Sequence, residues 1–150
     1  MFRAAFALTA AALALTGCEQ EKQLYVSDAW VRLAAVDGRP AAGYFSITGG
    51  PADATLISVT TEVAANTELH ESRMAAGGQG VAMDAVKQVP IPALQKVTFA
   101  PGGKHIMLFD VNPVAKPGGV IPLIFTFADG LRIEKNARIV AAGDPPPATK

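Results

Sequence analysis

Phe125-Thr126-Phe127-Ala128-Asp129-Gly130-Leu131-Arg132-Ile133 decides the fold class of this chain. Asp-Gly between two runs of alternating apolar residues is a strong short-range hairpin signal, because glycine supplies the positive φ that a tight turn needs. The same texture extends outward from it: short apolar or alternating runs, broken by turn residues every 8 to 15 positions. Strands are expected near 24–32, 42–48, 54–61, 66–74, 79–86, 96–100, 104–111, 121–128 and 131–140. Pro122 places its strand at an edge, or itself at the strand's beginning. No 11-residue window after position 18 has a clean helical period. The architecture that fits is all-β, a two-sheet β-sandwich or Greek-key barrel. Trp30, Tyr44, Phe45, Phe99, Phe109, Phe125 and Phe127 fall on these strands at positions that suit packing.

The N-terminus has a different texture. Met1-Phe2-Arg3 is a short positive segment, and Ala4 to Gly17 is an apolar run of 14 residues. A bilayer span needs about 20, so the run fits a secretory signal peptide, residues 1–17. It ends in Leu15-Thr16-Gly17-Cys18, which looks like a bacterial lipobox, with Cys18 as the lipidated first residue of the mature chain. Ordinary cleavage would leave a free exposed thiol, a liability in an oxidising compartment. The expected organisation is then a lipidated tether at 18–23, a β-sandwich domain at 24–141 and a disordered tail at 142–150 that carries three consecutive prolines after Asp144. Anchoring would be by lipid rather than by a spanning segment, on the outer side of a membrane reached by export.

This accounting excludes several functions. The chain has one cysteine, so with Cys18 in the anchor no disulfide or thiolate remains for the domain. Thirteen basic and 13 acidic residues become 12 and 13 once Arg3 leaves with the signal peptide, with no basic stripe. Nucleic acid is therefore not an expected partner. A monomer is expected.

Pro101-Gly102-Gly103-Lys104-His105-Ile106-Met107-Leu108 carries the chemistry. A tight turn leads into a strand in which His105 and Met107 share one face, with Cβ atoms roughly 7 Å apart. That gap suits an imidazole nitrogen and a thioether sulfur converging on one metal ion, although a lone His-x-Met also fits a core strand. Upstream residues add weight. Both histidines, His70 and His105, and all three methionines beyond the first residue, Met74, Met83 and Met107, fall between positions 70 and 107. A core does not require that clustering, since leucine and valine would pack as well.

If Ala75-Ala76-Gly77-Gly78 is a four-residue turn, Met74 pairs with Gln79, Ser72 with Val81 and His70 with Met83. Directly opposed residues have Cβ atoms about 5 Å apart on one face. His70 and Met83 would then form a second His/Met pair. Met74, four residues along the same extended arm, would stand roughly 13 Å from His70, too far for a shared ion unless the glycine-rich turn folds back and delivers it. Two imidazoles and two thioethers without thiolate or carboxylate favour Cu(I), since zinc prefers harder or charged donors. A blue-copper centre is excluded by the missing cysteine ligand.

The chain resembles the periplasmic copper chaperone family PCu(A)C over essentially all of its mature length. Asp28-Ala29-Trp30-Val31-Arg32, Glu68-Leu69-His70-Glu71 and Pro101 to Leu108 match that family's motifs. The family spacing is His, ten residues, Met, twenty-one residues, His-x-Met. The present chain keeps 21 residues between Met83 and His105 but has twelve between His70 and Met83. An even insertion preserves the facing of Met83. Asp84 stands where relatives tend to carry arginine, which alters the charge near the site.

The resemblance implies a cupredoxin-like fold and a non-enzymatic Cu(I) carrier with His70, Met83, His105 and Met107 as ligands. It further implies delivery to the CuA centre in cytochrome c oxidase subunit II, with Sco-type copper proteins as partners. Two other functions fit the residues: copper storage or detoxification, and a lipid-anchored interaction module whose His/Met cluster is only core.

Overall fold

The computed structural model describes residues 23–78 and 80–148, so Cys18, the signal peptide, most of the tether and Gln79 lie outside the described residues. Ten strands follow in order: β1 (Tyr25–Arg32), β2 (Ala41–Thr48), β3 (Ala54–Thr60), β4 (Ala64–Met74), β5 (Val81–Ala85), β6 (Val89–Ile91), β7 (Lys96–Phe99), β8 (Lys104–Val111), β9 (Val120–Phe127) and β10 (Arg132–Val140). No helix among the described residues is long and apolar enough to cross a membrane. Nine strands lie where the alternation places them. The tenth, β6, escapes it because Val89-Pro90-Ile91 is too short to show a period. It pairs with β3 at the end of the strand order, where a proline without an N–H is tolerated.

The strands bond in the order β5-β4-β8-β2-β1-β10-β9-β3-β6, with β7 also on β2. All pairs are antiparallel except β1 with β10. β3 and β4, far apart in this order, nevertheless touch, and the Thr67 hydroxyl on β4 donates to the Val59 carbonyl on β3. The sheet thus folds over on itself into a cupredoxin-like sandwich around one core. Phe45 anchors that core, stacked on Phe99 at 4.2 Å and edge-on to Phe125 at 4.7 Å between ring centres. Leu69, Ile106 and Leu108 bury the inner faces of β4 and β8 in the same cluster. Full burial of such a side chain contributes about 1.5–3 kcal/mol.

The Asp129-Gly130 hairpin forms as the alternation dictates. Phe127 N–H donates to the Leu131 carbonyl at 2.9 Å, and Gly130 has φ +90°. Pro122 lies at the start of β9, two residues before β3 begins to pair at Ile124, an edge-like position on an internal strand. Beyond β10, Arg32 Nη2 donates to the Asp144 carbonyl at 2.8 Å.

One expected register is wrong. β4 and β5 pair His70 with Ala85, Ser72 with Met83 and Met74 with Val81, a shift of two residues from the four-residue turn. Ala75 N–H donates to the Gly80 carbonyl, so the connection runs from Ala75 to Gly80. Gly77, Gly78 and Gly80 all take positive φ, which lets a wider loop close where a tight turn was expected.

Candidate metal centre

Three adjacent strands carry the candidate ligands. β4 lies between β5 and β8, and in its register with β8 His70 faces His105 while Glu68 faces Met107. Opposed residues share a face, and residues two apart keep it. His70, Ser72 and Glu68 of β4, His105 and Met107 of β8, and Met83 of β5 therefore all look away from the core that Leu69 and Ile106 fill.

The turn before β8 sets the height of His105. Gly103 N–H donates to the Ala100 carbonyl at 3.0 Å, with Pro101 and Gly102 (φ +82°) at the two central positions. Proline followed by positive-φ glycine is the type II pattern. The Gly103 carbonyl then accepts twice, from Ser72 N–H at 3.1 Å and from His105 Nδ1 at 2.9 Å. One turn thus ties β4 to β8 and orients the ring. Gly43 on β2 faces Ile106, and a Cβ there would lie 2.5 Å from Ile106 Cγ1, so only glycine lets β8 seat at this distance.

The imidazoles of His70 and His105 stand 5.8 Å apart between centres, tilted by 35°. With metal–nitrogen bonds of about 2 Å, an ion shared by two imidazoles sets ring centres roughly 5–6 Å apart. His105 is buried, and His70 Nε2 lies 2.9 Å from Glu68 Oε2. His70 Nδ1 is buried and has no hydrogen-bond partner among the described residues. A buried polar atom without a partner is unusual in a folded protein and fits a ligand position. Met107 is half-buried beside this pair. Met83 shares the face but is 59% exposed, and its diagonal placement from His70 corresponds to about 7–8 Å between backbones rather than 5 Å. Met74, on the same face near the hairpin tip, is 66% exposed. Among the described residues no three His, Cys, Asp or Glu side chains gather as a hard-metal site would require.

Asp84 does not reach this face. It pairs with Glu71, whose side chain points the opposite way from His70, and Arg73 contacts its carboxylate. Lys104 Nζ meets Glu71 Oε1 at 2.7 Å on that same reverse side. The departure at position 84 therefore adds no charge to the face of the candidate ligands.

Tyr44 and Trp30 are site neighbours that pattern reading assigned only to packing. Between Ser27 and Trp30 the β1–β2 register shifts by one residue, with Asp28 at φ +54°. Without this bulge Ala29 would face Tyr44; with it, Trp30 does, at 4.4 Å between ring centres. Tyr44 in turn lies 6.4 Å from the His105 ring, and the Arg32 guanidinium sits 4.8 Å over Trp30. The Asp28–Arg32 motif thus builds an aromatic buttress behind His105. Burial raises the Tyr44 phenol above its ordinary pKa of 10.0, with Arg32 pulling in the other direction.

Residues 24–139 match the family described as "Putative lipoprotein LpqE-like". The chain belongs to the LpqE-like family. It is 31% identical over 130 residues to "Putative lipoprotein Lxx21020" of Leifsonia xyli subsp. xyli, covering 79% of this chain and 77% of that one. Among solved structures it resembles the apo PCuAC domain from PmoF1, with a TM-score of 0.63 at 25% identity, over 81% of this chain and 96% of that domain. The solution structure of Cu(I)-bound DR1885 from Deinococcus radiodurans matches in fold, with a TM-score of 0.63 at 21% identity and 87% coverage of both chains. The resemblance to PCu(A)C proteins stands, and the fold is the one it implies.

Proposed function

We propose that this LpqE-like protein is a lipid-anchored, extracytoplasmic carrier of Cu(I), held by His70, His105, Met107 and Met83. The observation that carries this reading is the facing pair His70–His105 with a buried, unpartnered Nδ1, flanked on one sheet face by thioethers. Neutral imidazole and thioether donors match a soft monovalent ion. The Cu(I)-bound relative with the same fold supports the choice of ion.

Handover follows from the asymmetry of the site. Two buried or half-buried imidazoles and Met107 form a fixed half, while exposed Met83 on the edge hairpin can leave without disturbing the core. An incoming thiolate takes the vacated position, and the ion moves to the stronger donor set by ligand exchange. This is carriage, not catalysis, and no group needs to gain or lose a bond to anything but the cargo. The recipient we propose is the CuA centre of cytochrome c oxidase subunit II, with a Sco-type protein as co-partner, in the periplasm. Cys18, as the acylated first residue, would hold the carrier at the membrane that bears such a recipient.

The Cu(I)-loaded protein mixed with metal-free subunit II tests this role. Transfer of copper to subunit II supports a carrier. Retention by the loaded protein in the presence of the vacant thiolate site would mark a store instead.

A further inference from the structure

We propose that the two histidines bind Cu(I) through opposite ring nitrogens, His70 through Nδ1 and His105 through Nε2, and that Glu68 is the positioning residue that fixes the choice at His70. This rests on the copper-carrier reading and deepens it.

At His70 the contact is Nε2 to Glu68 Oε2 at 2.9 Å. A carboxylate only accepts, so in a neutral ring Nε2 carries the proton and Nδ1 keeps its lone pair. That Nδ1 is the buried atom without a partner. At His105 the contact is reversed: Nδ1 lies 2.9 Å from the Gly103 carbonyl, which also only accepts. There Nδ1 carries the proton, and the lone pair is on Nε2. One ring is fixed by a side chain and the other by a turn.

Register explains why Glu68 can do this. It lies two residues before His70 on the same face of β4, directly across from Met107 of β8. Its carboxylate is therefore on the face of the candidate ligands, and the contact it makes there is with His70 Nε2. Among the described residues its partners are His70 Nε2 and, at 3.4 Å, Asn66 Nδ2. Lys104 is held by Glu71 and Arg73 by Asp84 on the reverse side. The negative charge of Glu68 is thus left to act through the imidazole. It makes Nδ1 a stronger donor and balances the single positive charge of the ion. Carboxylate–histidine–metal arrangements act in this way, and loss of the outer carboxylate costs about 10–100-fold in metal affinity.

Long-range 1H–15N NMR of the full chain with 15N-labelled histidine tests the assignment, with Ag(I) as the probe. In the metal-free protein we expect the Nε2–H form at His70 and the Nδ1–H form at His105. With Ag(I) bound, silver–nitrogen coupling is expected at His70 Nδ1 and His105 Nε2. Glu68→Gln, whose amide can donate as well as accept, should release His70 to a mixture of both forms and weaken Ag(I) binding about tenfold or more. Coupling at His70 Nε2 in the wild type overturns the proposal, as does a Glu68→Gln variant with unchanged tautomer and affinity. Absence of coupling at both histidines overturns the metal-site reading beneath it.

Discussion

His70 and His105 face each other across β4 and β8, with ring centres 5.8 Å apart and a buried, unpartnered nitrogen on one of them. Each ring is hydrogen-bonded through one nitrogen. The Gly103 carbonyl holds one, Glu68 the other, and the aromatic row of Tyr44 and Trp30 stands behind His105. A hydrogen-bonded pair beside an exposed thioether is the geometry that the proposed carrier role needs.

The hairpin register bears on which methionine binds. Met83 is one diagonal step from His70, whereas Met74 is two residues further toward the loop. Met83→Leu, of nearly unchanged volume, should weaken Cu(I) binding at least tenfold. Met74→Leu should leave it within about twofold. Competition with a chromophoric Cu(I) chelator measures both, and a larger loss in Met74→Leu would assign the ligand to the loop end.

Gly43 gives β8 its seat. Gly43→Ala puts a methyl 2.5 Å from Ile106 Cγ1, deep in the core. Overpacking of this kind costs about 1–3 kcal/mol. Chemical denaturation should show that loss, with weaker copper binding at native conditions because Ile106 lies between His105 and Met107. Unchanged stability would mean that Ile106 has room to turn aside.

Tyr44 makes stability fall in alkali. Its phenol is raised above 10.0 by burial, so the folded state favours the protonated form. The contribution is complete below the unfolded value of about 10 and disappears as pH rises through the higher folded value. Tyr44→Phe should flatten the stability profile above pH 10. A profile as steep in the variant as in the wild type would place the alkaline loss elsewhere.

Cys18 should carry the anchor. Intact mass of the mature protein is expected to show acyl chains on residue 18, and Cys18→Ala should move the protein out of the membrane fraction. An unacylated mature mass would remove the lipid from the account.

The fold was legible because its signals are local. Asp129-Gly130 specifies a hairpin by turn chemistry, and alternation marks strands as long as β9 and β10. His105 and Met107 were legible as a pair because period two fixes their common face. The β4–β5 register was not legible, because three glycines in the Ala75–Gly80 loop permit several closures and only packing selects among them. Tyr44 and Trp30 as supports of His105 were hidden for a related reason. Their apposition depends on a bulge at Asp28, which shifts the register by one and leaves no mark in the hydrophobic pattern. Glu68 was visible only as part of a motif, since its role requires knowing which nitrogen it meets.

X-ray absorption of the Cu(I)-loaded protein, prepared at one equivalent per chain, tests the central claim most directly. A single Cu(I) with both nitrogen and sulfur neighbours is expected, the sulfur contribution reduced in Met107→Leu and in Met83→Leu. A first shell of nitrogen and oxygen alone, or the absence of stoichiometric Cu(I) binding, would contradict it.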